Sequence, residues 1–284
     1  MNRFSGDIIK TLNIFTKILV LLLMVLADNT ILAQANTDSI MTQQDSDDIE
    51  FNIGIPLWIP AYKGRLTIGD IVIDSEGDSR GGLSEYFPSE GSIDFYYVGK
   101  FGMTLKKWQF QADIFGGKFQ NSINFSYNQI PLKDIELVTT MPRIFVGYQV
   151  FEHEFELGRL KNKLEIWPYA GCRYYYVDIQ KKTFTVIPDF QRTNKWIDPL
   201  LGFTVQFMIN RFTIFFENDF AGFGLGSEFT YWLQASGEYK VVDFLAIKLG
   251  WTYQNIKYQE ERGEDSFSYK MELQGPVAGI IFYF

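Results

Sequence analysis

Two side chains that build metal and redox sites are almost missing from this chain. Among 284 residues there is one cysteine, Cys172, and one histidine, His153. A lone cysteine excludes an internal disulfide and any cysteine-based zinc cluster, and a lone imidazole gives no basis for a histidine-rich metal site. The chain is therefore expected to work without metal or cofactor. Positive charge is also short: 26 Lys and Arg face 34 Asp and Glu, for a net charge of −8. With no basic stripe, a phosphate backbone would be repelled, so no nucleic-acid partner is expected. Long hydrophobic runs are lacking too. The apolar run Ile18–Ala27 is ten residues long, and nothing else approaches the roughly 18 that a membrane-spanning helix needs. Any membrane insertion by the mature chain must use strands.

What the chain has in quantity is aromatic surface, with 27 Phe, 16 Tyr and 6 Trp. Mean hydropathy is nevertheless only −0.06, so apolar residues are interleaved with polar ones. Alternating lipid-facing and lumen-facing positions give that mixture, as does an ordinary β-sandwich. The N-terminus narrows the choice. Arg3, Lys10 and Lys17 precede or flank the apolar run, and Ala33-Gln34-Ala35 offers a small-x-small cleavage site. Residues 1–35 read as a secretory signal peptide, 36–48 as a polar linker in the periplasm, and 49–284 as a single domain.

From residue 50 onward, alternation with period two persists to the end, and ten strands are predicted, with about eight to twelve as the range. They run over 50–61, 93–105, 108–119, 137–151, 163–179, 196–208, 212–221, 227–239, 244–258 and 267–284. Connections after even-numbered strands are mostly short, as at Lys106-Lys107 and Asn210-Arg211, while those after odd-numbered strands are mostly long. Short turns on one side and long loops on the other are the pattern of outer-membrane barrels. The fold class read from the sequence is all-β, a transmembrane antiparallel up-and-down barrel in the outer membrane of a Gram-negative bacterium. The last ten residues, Gly275–Phe284, fit a closing strand, because an apolar strand left bare at an edge invites aggregation.

In a narrow barrel the polar faces point into the lumen. Asp113, Arg143, Arg173, Asp198, Glu217, Asp219 and Lys248 are the candidate lumen-lining residues. Charges so placed must pair or hydrogen-bond to offset desolvation. Asp198 and Asp219 could form an acid pair on adjacent strands, with Arg173 as a partner. No catalytic residue is assigned. Outer-membrane hydrolases use an imidazole base, and His153 falls in a charged connection, Glu152–Asn162, on the periplasmic side. The run Gly222–Gly226 lacks a following Lys-Ser/Thr and reads as a turn rather than a phosphate loop. Acidic clusters within Asp70–Glu90 and Glu260–Asp265 lack calcium-loop spacing and read as solvated loops.

Several short motifs go beyond general barrel pattern. Trp196-Ile197-Asp198-Pro199-Leu200-Leu201-Gly202 resembles a W-x-D-P-x-x-G strand start, and Asn218–Ser227 resembles a G-D-x-G-G-F-G-x-G-S strand-to-loop motif. With Pro56–Pro60, Gly275-Pro276 and Phe284 they resemble a family of small, largely uncharacterised bacterial outer-membrane β-barrel proteins. Asn218 and Ala221 depart from the motif, which has glycine there. The resemblance implies fold and location and brings no activity. It also implies that the C-terminal signal, Phe282 and Phe284, is read by the barrel-assembly machinery. The expected function is structural or interaction-based, with a largely plugged polar lumen. The alternatives are a narrow channel for small or apolar solutes and an outer-membrane lipid-modifying enzyme. Expected partners are outer-membrane lipid and lipopolysaccharide around a monomeric barrel.

One local expectation concerns the last strand. Lys270, Glu272 and Gln274 share the parity of Phe282 and Phe284. If the charges face the lumen and the terminus faces lipid, a bulge near Gly275-Pro276 must switch the faces.

Overall fold

The computed structural model describes residues 49–75, 93–120, 125–127, 130–131, 135–157, 160–181, 189–261 and 266–284. The predicted signal peptide and linker, and most of the acidic clusters, lie outside the described residues. Every regular element among the described residues is a strand: β1 (Ile49–Trp58), β2 (Ala61–Ile68), β3 (Ile71–Ser75), β4 (Ile93–Leu105), β5 (Trp108–Gln120), β6 (Phe125–Tyr127), β7 (Ile130–Pro131) and β8 (Ile135–Thr140). The second half continues with β9 (Arg143–Tyr148), β10 (Phe151–Leu157), β11 (Leu160–Lys181), β12 (Phe190–Ile209), β13 (Phe212–Ala221), β14 (Phe229–Val242), β15 (Leu245–Glu260) and β16 (Phe267–Tyr283).

These segments close into a ten-stranded antiparallel barrel. β1 and β2 hold one register against β16, with Trp58 opposite Val277 and Ala61 opposite Gln274. Across the break between them Ile59 N–H still donates to Pro276 O at 3.2 Å, so they act as one strand interrupted at Pro60, which has no N–H to give. Likewise β8, β9 and β10 all lie along β11. Apart from β3, β6 and β7, which extend β2, the remaining strands pair in sequence order, and β16 returns to β1 with Tyr283 opposite Asn52. The turns at Lys106 (φ 54°) and Asn210 (φ 53°) place a residue in the left-handed region, which tight hairpins require.

Side-chain direction alternates along the strands, with register shifts at Ile93/Phe95 and Lys240/Val242. Ile53, Ile55, Leu57, Phe101, Phe110, Ile144, Leu201, Ile247 and Ile280 are exposed on the outer wall of the half that carries the short turns. Inside this half lie charged groups. Toward the long-loop end the two faces exchange character. Phe267, Tyr269, Met271 and Leu273 of β16 pack inward with Leu66, Leu137 and Ile179 in one apolar core. On the outer wall at this level stand Lys63, Arg65, Lys270 and Glu272. Outer-face pairs include Arg65 with Asp74 at 2.7 Å, which holds the guanidinium above its ordinary value, and Lys118 with Glu136 at 2.9 Å.

This arrangement overturns the expected face switch on β16. The β15–β16 register runs unbroken from Leu245–Phe282 to Glu260–Phe267, with Trp251 opposite Pro276 and Thr252 opposite Gly275. There is no bulge. Lys270, Glu272 and Gln274 face outward on the same pleat as Phe282, and the surroundings change instead of the pleat. β11 has 22 residues, about 70 Å along the strand at ~3.3 Å per residue. A tilted strand needs only about 9–11 residues to cross a bilayer. The excess length forms the apolar-cored extension.

A second correction lies at the other end. The connection 152–162 is not a turn: β10 and the start of β11 form a hairpin ladder from Phe151–Ile166 to Leu157–Leu160. His153 sits on its exposed strand. The stretch after Ala61, expected to be largely loop, holds the β2–β3 hairpin, which β6 extends.

The exchange of polarity makes a quantitative prediction. Leu273 is fully buried in the apolar core, so Leu273→Ala should destabilise the folded barrel by about 2–5 kcal/mol. Its neighbour Glu272, on the outer wall, should tolerate Glu272→Ala within about 0.5 kcal/mol. Urea unfolding in detergent micelles measures both.

Candidate functional site

The inward side chains of the short-turn half converge on Arg143. Register sets this up: Asp113 of β5 lies opposite Arg143 of β9, which lies opposite Arg173 of β11. Thr204 on β12 lies opposite Glu217 on β13, and Gly202 opposite Asp219, so both acids point into the same space. Arg143 donates to Asp113 through Nε at 3.0 Å and also through Nη2, pairs with Glu217 at 2.6 Å, and donates through Nη1 to Asp219 at 2.9 Å. Arg173 donates through Nη2 to the same Asp219 oxygen at 2.7 Å. Gln111 adds bonds to both Asp113 oxygens at 3.0 and 3.1 Å.

Two guanidiniums thus hold three carboxylates in a water-poor interior. Such groups stay charged only when their partners are in place. Aromatic faces complete the enclosure. Both guanidiniums lie 5.2 Å from the Trp232 ring, and Arg143 lies 4.9 Å from Phe145, which stacks on Tyr169 at 4.1 Å. Trp232 in turn meets Trp58 at 5.3 Å, and Trp58 meets Phe115 at 4.8 Å. The ion cluster therefore grades directly into the apolar core.

Asp198 also points inward, opposite Arg173 in register, but among the described residues it joins neither an acid pair nor an ion pair. Its Oδ1 accepts from Ser227 N–H at 2.6 Å, and its Oδ2 accepts from Ser227 Oγ at 2.7 Å and Thr230 Oγ1 at 3.1 Å. Trp196 Nε1 donates to the same Ser227 hydroxyl at 2.8 Å. Gly222 N–H donates to Pro199 O at 3.0 Å, with Gly222 at φ 92°. A side chain at Gly226 would collide with Asp198 Oδ1 and Ile197 O. The two separate motifs of the sequence are one structure: the middle of β12 clasps the loop that follows β13. Asn218, where the motif has glycine, is buried and donates through Nδ2 to Trp232 O at 3.2 Å.

Lys248 is ion-paired with neither group among the described residues. It is 4% exposed, sits opposite Glu238 in register, and its Nζ lies 4.8 Å from the Phe215 ring. The sequence did not single out Glu238, whose carboxylate accepts from the Tyr283 hydroxyl, or the pairing of the inward Glu165 with Lys163 at 2.6 Å; Glu165 also accepts Trp167 Nε1–H at 2.9 Å. Their inward parity was the available signal. Phe282 faces outward opposite Ile53 and Leu245, and Phe284 N–H donates to Phe51 O at 2.9 Å.

No family model and no curated protein matches this chain. Among solved structures, it is similar to the outer membrane protease OmpT of Escherichia coli, with 8% identity over 88% of this chain and 100% of that one, at a TM-score of 0.43. It is also similar to the N-terminal β-barrel domain of Pseudomonas aeruginosa OprF, with 10% identity over 83% of this chain and 96% of that one, at 0.31. Neisserial surface protein A matches at 9% identity over the same shares, 83% and 96%, at 0.29.

Removing the shared cation should expose the cost of the cluster. Arg143→Ala leaves Asp113 and Glu217 without their guanidinium and should destabilise the barrel by about 3–5 kcal/mol in denaturant titrations. Asp198→Ala should act locally: the 222–227 amides should exchange hydrogen at least about tenfold faster, with the barrel amides protected as before.

Proposed function

We infer that this chain is an outer-membrane β-barrel whose axis is closed, with a structural or surface-interaction role rather than a catalytic one. One observation carries the reading. The same ten strands present an apolar outer wall around a charged interior in the short-turn half, and a polar outer wall around an apolar core in the long-loop half. The first suits a bilayer and the second suits water on the outside. On this reading the short turns, and the β10 hairpin, are periplasmic. The apolar-cored extension stands above the membrane as a rigid contact surface, ringed by lipopolysaccharide, with the barrel a monomer in lipid. Export by a signal peptide and recognition of Phe282 and Phe284 by the assembly machinery belong to the same proposal.

A narrow axial channel fits the packing less well, because the space above the ion cluster is filled by Trp58, Phe115, Tyr175 and Trp196. The lipid-modifying enzyme has as little to support it. His153 lies at the short-turn end on exposed β10, stacked on Phe155 at 6.0 Å, away from the lumen carboxylates.

Heat-modifiable migration on gels and planar-bilayer recording test this reading together. The folded protein should shift on boiling, and its reconstitution should give no discrete conductance steps. Stable single-channel openings from the folded form would sink the closed-axis interpretation.

A further inference from the structure

A cavity of about 70 Å³ lies beside the ion cluster, and its lining breaches the barrel wall. The β1–β4 ladder runs only from Ile49–Leu105 to Gly54–Lys100. Beyond it, among the described residues, Ile55–Trp58 pair with β16 alone and Tyr97–Gly99 with β5 alone. Pro56 stands on this edge of β1 and has no N–H to bridge with. The cavity is bordered here by Pro56, Trp58 and Val98, which point inward, and also by Gly99 and Ile114, which belong to the outer face. Gly99 presents no side chain to close the wall. The cavity thus reaches the apolar exterior sideways, while the apolar core shuts the route along the axis.

Its inner end is cationic. Arg143, Arg173, Lys100 and Lys248 line it, against one acid, Asp113. Both arginines are engaged with carboxylates, as described above. Lys248 is not: among the described residues no carboxylate lies within ion-pair distance of its buried ammonium. Of the nearby acids, Asp113 and Glu217 are paired with Arg143, and Glu238, opposite Lys248 in register, accepts from the Tyr283 hydroxyl. Trp232 Nε1, buried and also lining the cavity, has no hydrogen-bond partner among the described residues. A buried ammonium with no carboxylate in direct contact and a buried donor without an acceptor are both costly, and an anion in the cavity they both line would offset both.

The geometry points to a binding site for an aliphatic carboxylate that enters from the bilayer through the β1–β4 seam. Its carboxylate is held by Lys248 and Trp232 Nε1, and its chain lies against Trp58, Val98 and Ile114. At about 15 Å³ for each water-sized group, the cavity holds roughly five heavy atoms. That accommodates a carboxylate and the first methylenes, leaving the rest of an eight-carbon chain in the wall. The proposal rests on the bilayer reading of the outer wall, but its test does not depend on conductance.

The probe is octanoate labelled with ¹³C at the carboxyl, titrated by NMR into the full-length folded protein in non-ionic micelles. Octanol and acetate serve as competitors, and heat-modifiable migration checks that each variant is folded. Saturable octanoate binding is expected, with octanol and acetate at least roughly tenfold weaker, since each lacks one half of the recognised ligand. Lys248→Met should weaken octanoate by about tenfold or more while keeping the barrel folded, because an apolar replacement of an unpaired buried charge is tolerated. Lys248→Arg should retain binding within about threefold, and Gly99→Trp should slow or abolish entry. Unchanged binding by folded Lys248→Met, equal competition by octanol or by acetate, or no saturable binding by the folded native protein would each overturn the proposal. A barrel that binds octanoate yet conducts ions would count against the closed axis alone.

Discussion

Everything in this protein depends on the period-two pleat of its strands, whose registers shift only near strand ends, at Ile93/Phe95 and Lys240/Val242 among the described residues. In an antiparallel ladder a residue's face is fixed by its parity. β16 keeps one register for its whole length, so the face that carries Phe282 at one end carries Lys270 at the other. A strand longer than a bilayer is thick cannot keep one kind of residue on one face. It must place polar groups wherever water is and apolar groups wherever lipid or core is. Here both faces change together, and the apolar core at one level is the structural complement of the charged lumen at the other.

The charged level is organised around the planar geometry of one guanidinium. Arg143 reaches acids on β5 and β13 at once, and Asp219 passes the link on to Arg173 on β11. A lysine, a point charge on a flexible stem, could not span the same partners. The network therefore braces opposite walls of the barrel. Lys248 shows what happens to a cation outside that geometry: it is buried against Phe215 while the surrounding acids are held by others.

Much of this was legible in the sequence, because alternation and turn residues are local. The tight turns at Lys106-Lys107 and Asn210-Arg211, the ten strands, and the inward parity of Asp113, Arg143, Arg173, Glu217, Asp219 and Lys248 all follow from residues a few positions apart. What was not legible depends on surroundings. Lys270 and Glu272 were assigned to the lumen because charge was equated with the interior, which holds only where the exterior is apolar. The charges at 152–162 suggested a turn, whereas solvent on both sides of a hairpin accepts charge equally well. Asp198 was expected to answer Arg173, its register partner, but the nearer hydroxyls and amide of the 222–227 loop satisfy it.

The barrel is sealed between its first strand and its last, where Asn52 lies opposite Tyr283 and the backbones of Phe51 and Phe284 exchange hydrogen bonds. Those are the contacts of greatest sequence separation among the described residues, and they bear the largest loop-closure entropy. Until they form, the sheet has two bare edges and the ion cluster has no closed interior to occupy. The seam is thus the contact whose closure costs most in chain entropy, and everything enclosed by the wall depends on that one join.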